Sequence, residues 1–270
     1  MSNNYNNTAL PDFDGFTPSQ MERIVNCPFE KDCPIKFNQL DKDMLINKSP
    51  IFNIIIEFLL ILKKRKIKLT QKGNLPLKTI NNIYAKKYLT DEWIENGITK
   101  IRTETDWVVI HNVRIVLTLA GFIRKQYNHL LLTKKCELLL NNDNSSEIFY
   151  TFLKAFTLKF NWAYNDFYDD EQLGQIGFLY SLFLINKYGN DKRDLKYFTN
   201  QYFATFPMFV ENNYDSNISM KESAFHTRFI MRFSIWFGFV EEEIIKSEKL
   251  LDDKIMIKKT KLLSQILQVK

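Results

Sequence analysis

The sequence predicts a mainly α protein with short β-hairpins, organised as two winged-helix-like units joined by helices. Three observations carry that expectation. Aromatic residues are abundant, with 23 Phe and 12 Tyr, while Gly and Pro are few, a balance that favours packed helices over a sandwich or a disordered chain. Residues 45–142 read as helix, strand, helix, helix, strand, turn, strand, the order of a winged-helix domain. Finally, "LAGFIRK" and "LLLTKKCELLL" are echoed by "WFGFVEE" and "IMIKKTKLLSQIL", so a helix, a Gly-Phe step, a hairpin and a Lys/Thr-led helix occur twice. The competing reading is one continuous helical domain with a coincidental hairpin at each end.

Taken in order, residues 1–15 are polar, and "TPSQMERIV" opens a short helix with a Thr cap and Pro at the first helical position. Ser49 and Pro50 begin an apolar helix that ends in the cationic turn "KKRK", the charge a helix C-terminus favours. "IKLT" reads as a strand, "LPLKTINNIYAKKY" as a helix and "DEWIENG" as one further turn. A helix from Thr105 or Asp106 to Ala120 ends at Gly121, followed by a hairpin turning near Tyr127 and Asn128 and a helix in "KKCELLL". In the second half, helices are predicted at 145–160, 171–189, 194–206 and 219–238. The domains expected from this pass are an N-terminal segment 1–44 with a short helix, a basic winged-helix-like domain 45–142, and a region 143–270 that ends in a second such unit and serves dimerisation or partner binding.

Charge separates the halves. Residues 1–142 hold 21 Lys+Arg against 14 Asp+Glu and residues 143–270 hold 16 against 17, while residues 63–136 alone hold 16 against 5. Such a concentration is the footprint of a polyanion-binding face, or else of a plain solvated surface. On the winged-helix reading, His111, Arg114 and Thr118 lie on helix 106–120 opposite the stripe Val109, Val113, Val116 and Ala120 and are expected to face base edges. Lys64, Arg65, Lys68, Lys72, Arg124, Lys125, His129, Lys134 and Lys135 are expected at phosphates. A buried structural role is the alternative for His111. Lys221, Arg228 and Arg232 are secondary candidates in the second copy, whose hairpin carries Glu241 to Glu243, Glu248, Asp252 and Asp253 and is expected to repel phosphate and meet protein.

Catalytic readings are weaker. "NDFYDDE" places Asp166, Asp169, Asp170 and Glu171 together, a divalent-metal nuclease pattern if the carboxylates converge, but Asp169 and Asp170 are read as caps of the helix that follows. No phosphate-cradling, nucleophile-elbow or zinc-protease motif occurs, so no enzyme activity and no cofactor are expected. Cys27 and Cys33 are spaced too loosely for a zinc knuckle and are read, with Cys136, as thiols of a reducing compartment. Trp162, Tyr164, Phe167 and Tyr168 are read as core before base-stacking. The start has no secretory pattern and the most apolar run, 51–62, is too short for a bilayer, so a soluble cytoplasmic protein is expected.

At "GFTPSQMERIVNCPF", "LTQKGNLPLKTI" and "FNWAYNDFY" the chain loosely resembles an uncharacterised bacterial protein group, some of it tied to mobile elements or plasmids. The resemblance implies winged-helix-like segments and no stated activity. The function expected is a non-enzymatic, homodimeric binder of duplex DNA acting as a regulator or accessory factor for a larger DNA-acting effector, such as a defence or mobile-element system. A protein-interaction scaffold without nucleic-acid contact is the alternative.

Overall fold

A computed structural model describes residues 6–210, 218–246 and 253–269. It is mainly helical with small antiparallel sheets. The chain forms two compact units, a central one from Leu40 to Phe160 and a terminal one built from both ends, Met1–Gln39 with Asn161–Lys270. This partition differs from cuts after residues 44 and 142, and one ring contact and one strand pairing explain why. Residues past 142 stay with the central unit because Phe149 packs edge-on against Phe52 at 5.9 Å. The N-terminal segment stays with the far end because it pairs with the last strand.

That segment supplies α1 (Pro18–Asn26), begun by a reciprocal cap between Thr17 and Gln20, and β1 (Ile35–Phe37). The central unit follows: α2 (Lys42–Lys48), α3 (Pro50–Lys64), β2 (Ile67–Lys68), α4 (Leu77–Tyr84), the single turn α5 (Glu92–Glu95), α6 (Val108–Leu119), β3 (Ile123–Gln126), β4 (His129–Leu132), α7 (Lys134–Asn141) and α8 (Ser145–Leu158). Its core is organised on α3, where Ile51, Phe52, Ile54, Ile55, Phe58, Leu59 and Leu62 are buried, each stabilising the unit by about 1.5–3 kcal/mol relative to exposure. The sheet runs β2-β4-β3, all antiparallel. Tyr127 and Asn128 both have positive φ, 46° and 59°, the geometry of a two-residue turn that matches strand twist.

The terminal unit continues with α9 (Phe178–Tyr188), β5 (Arg193–Asp194), α10 (Leu195–Thr205), α11 (Ile218–Phe225, running on as a π-helix over His226–Ile235), β6 (Val240–Ile245), β7 (Lys254–Lys259), α12 (Lys261–Ile266) and β8 (Leu267–Val269). Its main sheet runs β5-β7-β6, the same order as in the central unit, and β8 pairs with β1, Ile35 opposite Val269. Phe225, Phe229, Phe233 and Phe237 stack along one helix side with centroids 4.9, 5.9 and 5.1 Å apart. Trp162 packs on this row at 4.8 Å from Phe233, in line with a core role. Phe167, by contrast, is fully exposed.

The repeat read from sequence extends to individual hydrogen bonds. Gly121 and Gly238 end α6 and the π-helix with φ of 72° and 77°. Thr133 and Thr260 then donate from Oγ1 to the carbonyls of those same glycines, at 2.8 and 2.7 Å, while accepting from the Cys136 and Leu263 amides. Their own amides donate to the Phe122 and Phe239 carbonyls at 2.9 and 3.0 Å. Each hairpin is thus closed at its base by a Gly-Phe/Thr lock.

The helix predicted over 171–189 begins only at Phe178, so Asp169 and Asp170 do not cap it. Gly174 and Gly177 have φ of 84° and 71°, and a Cβ on Gly177 would stand 2.3 Å from the Phe206 ring; the chain turns here because only glycine fits. The turn is held by Arg228, whose side chain is fully buried. Its Nε and Nη2 each donate to Asp166 at 2.8 Å, and the remaining N–H groups reach the carbonyls of Tyr168, Asp170 and Leu173. A guanidinium taken out of water requires this full set of acceptors. Replacing Arg228 with Lys keeps the charge but loses the fork; limited proteolysis is expected to cut within 161–177 in Arg228→Lys under conditions that leave the parent chain intact.

Candidate nucleic-acid interface

The sheet of the central unit sorts its cations by register. Ile67, Leu130 and Lys125 share one cross-strand row, and Lys68, His129 and Gln126 share the next. Neighbouring rows point to opposite faces. Ile67 and Leu130 are buried, so Lys68, His129, Gln126 and, two residues along, Arg124 lie on the outer face, where Arg124 donates to Gln126 at 2.6 Å. Lys125 lies on the other side, beside Gly73, where a Cβ would meet its Nζ at 3.9 Å. The loop carrying Lys72 and the β3 strand therefore come together, although about fifty residues of sequence separate them.

A buried carboxylate sets this arrangement. Glu104 has no exposed surface. Its Oε1 accepts from Arg114 Nε at 2.6 Å and lies 2.9 Å from His111 Nδ1, while Oε2 accepts from the Leu75 amide at 2.7 Å. Arg114 Nη1 also donates to the Gly73 carbonyl at 3.2 Å. One acid thereby ties α6 to the loop between β2 and α4.

Two expected base contacts are corrected by this geometry. His111 is buried, and Arg114, only 19% exposed, is committed to Glu104 and Gly73; both serve the interior because a desolvated carboxylate requires partners. Thr118 is exposed, though its hydroxyl donates back to the Arg114 carbonyl at 2.9 Å. With seven of the twelve residues of α6 buried, the helix offers little surface to a groove.

The remaining central candidates are exposed or half-exposed. Lys64, Arg65, Lys68, Lys72, Arg124, Lys125, Lys134 and Lys135 face solvent and His129 is half-buried. Among the described residues none of these nine is ion-paired with a carboxylate. Lys64 complements the C-terminal dipole of α3. Lys134 and Lys135 have the opposite setting, in the first turn of α7, where the dipole disfavours cations.

The secondary candidates are corrected as well. Arg228 is the buried clamp described above; Lys221 is buried and donates to the Phe209 carbonyl, and Arg232 donates to the Tyr164 and Asn165 carbonyls. The carboxylates of the nuclease alternative do not converge as metal ligands, since both oxygens of Asp166 are taken by Arg228. Two glutamates of the acidic hairpin have partners: Glu242 lies 2.6 Å from His226 Nε2 and Glu243 pairs with Lys192. Glu248 and Asp252 lie outside the described residues. Cys33 and Cys136 are buried, and burial pushes the Cys136 thiol up to about 12.

Among the described residues no single helix is long and apolar enough to cross a membrane; α2 and α3 pass by length and composition only as a pair bent by 108°. No protein-family model matches the chain, and comparison with curated proteins and with solved structures gives no match.

Replacing Glu104 with Ala strands Arg114 and the Leu75 amide. The expected cost to the central unit is about 3–5 kcal/mol, the range for removing one member of a buried pair, measured as a lowered urea midpoint.

Proposed function

We propose that this chain is a non-enzymatic nucleic-acid-binding protein, with duplex DNA the favoured target, built from two winged-helix units of which the central one carries the nucleic-acid face. The fold assignment is supported by the element order α3, β2, α4, α6, β3, β4, by the strand order β2-β4-β3 and by the recurrence of both in the terminal unit. The observation that carries the functional reading is the set of cations that have no carboxylate partner among the described residues on and beside the hairpin: Lys68 and Arg124, with His129, on the outer sheet face, Lys72 and Lys125 around Gly73.

Binding on this reading is led by phosphate contacts, because α6 has few side chains free to read base edges. Phosphate contacts position a protein without selecting sequence, which suits an accessory factor that holds DNA for a larger effector better than a site-specific regulator. A cytoplasmic homodimer is the form we propose, since two-fold protein symmetry fits a duplex.

One observation favours a second reading, a protein-interaction scaffold. On β6, Ile245 is 49% exposed and shares its strand face with the exposed Glu241, while Ile244 is 53% exposed on the opposite face, surfaces suited to a protein partner with basic and apolar groups.

If Lys68, Lys72, Arg124 and Lys125 each neutralise one phosphate, the slope of log affinity against log salt is roughly −3.6, a loss on the order of a hundredfold from about 50 to about 200 mM. Fluorescence anisotropy with labelled duplex across a salt series measures it. Arg124→Glu with Lys125→Glu is expected to weaken binding and to flatten the slope by about 2. No binding at low salt would leave the scaffold reading in its place.

A further inference from the structure

The tip of the β3–β4 hairpin holds a side chain that neither the core nor phosphate binding explains. Tyr127 is 89% exposed, and among the described residues its ring stacks on no other ring. It also occupies a costly backbone position. Its φ of 46° lies in the left-handed region, which two-residue turns of this kind normally fill with Asn, Asp or Gly; a bulky aromatic there is an outlier whose persistence points to function.

The tip is rigid by construction. Leu69, just past β2, donates its amide to the Asn128 carbonyl at 2.9 Å, and Asn128 Nδ2 donates back to the Leu69 carbonyl at 3.1 Å. His129 Nδ1–H donates to the Tyr127 carbonyl at 2.8 Å. A flat, apolar ring is therefore carried forward on a braced turn. Behind it, at about 3.4 Å per residue along the strand, stand Lys125 and Arg124, with Lys68 across the sheet beside His129.

We propose that Tyr127 is a stacking wedge for an unpaired base, so that the central unit prefers nucleic acid presenting a junction between duplex and single strand over continuous duplex. This rests on the phosphate-binding reading above and adds the substrate class. The chemistry is complementary: the cations hold the backbone of the duplex arm, and the ring offers its face to the first base outside it. Stacking tolerates any base because every base has a π-face, which agrees with an interface that has little means of reading sequence. An apolar wedge at a base step also removes the need for α6 to enter a groove.

The test compares a blunt duplex with a fork of the same duplex sequence carrying a fluorescent adenine analogue at the first unpaired position. The proteins are the full chain, Tyr127→Asn, which suits the left-handed turn while removing the ring, and Tyr127→Phe, which keeps it. The parent chain and Tyr127→Phe are expected to bind the fork roughly 5- to 150-fold more tightly than the duplex, the range set by one base–aromatic stack, and to quench the analogue. Tyr127→Asn is expected to bind both DNAs as the parent binds duplex and to leave the analogue bright. Equal binding of fork and duplex by the parent chain, or a fork preference retained in Tyr127→Asn, overturns the wedge while leaving phosphate binding intact. Absence of binding to either DNA at low salt overturns both.

Discussion

A carboxylate with no access to water organises the surface of the central unit. Glu104 sits between α6 and the loop that follows β2, and its two oxygens are shared among a guanidinium, an imidazole and a backbone amide. A charge in that position is tolerable only when each lone-pair direction is answered. The consequence reaches the surface: because Arg114 spans from Glu104 to the Gly73 carbonyl, the loop bearing Lys72 is held against the β3 side of the hairpin, and Lys125 comes alongside. The approach of Lys72 and Lys125 around Gly73 is a by-product of where the buried acid puts the backbone. The residues that create it are unavailable to a ligand for the same reason.

The terminal unit uses the same device with the charges exchanged. There the fully buried group is Arg228, and Asp166 and three carbonyls answer it. His111 and Arg228 each stand ten residues before the glycine that ends their helix, so the inward polar position is common to both units, along with the strand order and the Gly-Phe/Thr lock. What differs is the outside. Among the described residues the central hairpin presents cations without carboxylate partners, whereas the terminal hairpin presents glutamates, two of them with partners, and Ile244 and Ile245 are exposed beyond them. One scaffold thus carries two surfaces of different chemistry, which is the physical basis for assigning polyanion binding to only one of them.

Local signals were legible in the chain and long-range ones were not. Thr17, Ser49-Pro50 and Gly121 marked helix ends where the structure has them, and the hairpin turn at Tyr127 and Asn128 followed from the punctuation between two apolar runs. The short strands β1, β5 and β8 left no trace, because two or three residues carry no alternation and their partners lie far away in sequence. The start of α9 is not marked in the pattern, since the apolar period continues through Gly174 and Gly177, where positive φ at both, and at Gly177 packing against Phe206, exclude an ordinary side chain. The outward reading of Arg114 and Arg228 fails, and of the two readings of His111 the buried one holds, for a general reason: helical spacing says which residues share a side, and a polar side can face a buried counter-ion as readily as solvent. Nothing in the pattern distinguishes Glu104 from a surface glutamate.

On the proposed reading, nucleic acid meets the hairpin and the loop after β2 while α6 stays internal. Hydrogen exchange along the chain, with and without duplex DNA at low salt, tests it most directly. New protection is expected only at residues 67–73 and 123–129, with α6 and the terminal unit unchanged. Protection concentrated in 108–119, or in the π-helix and its hairpin, would contradict it.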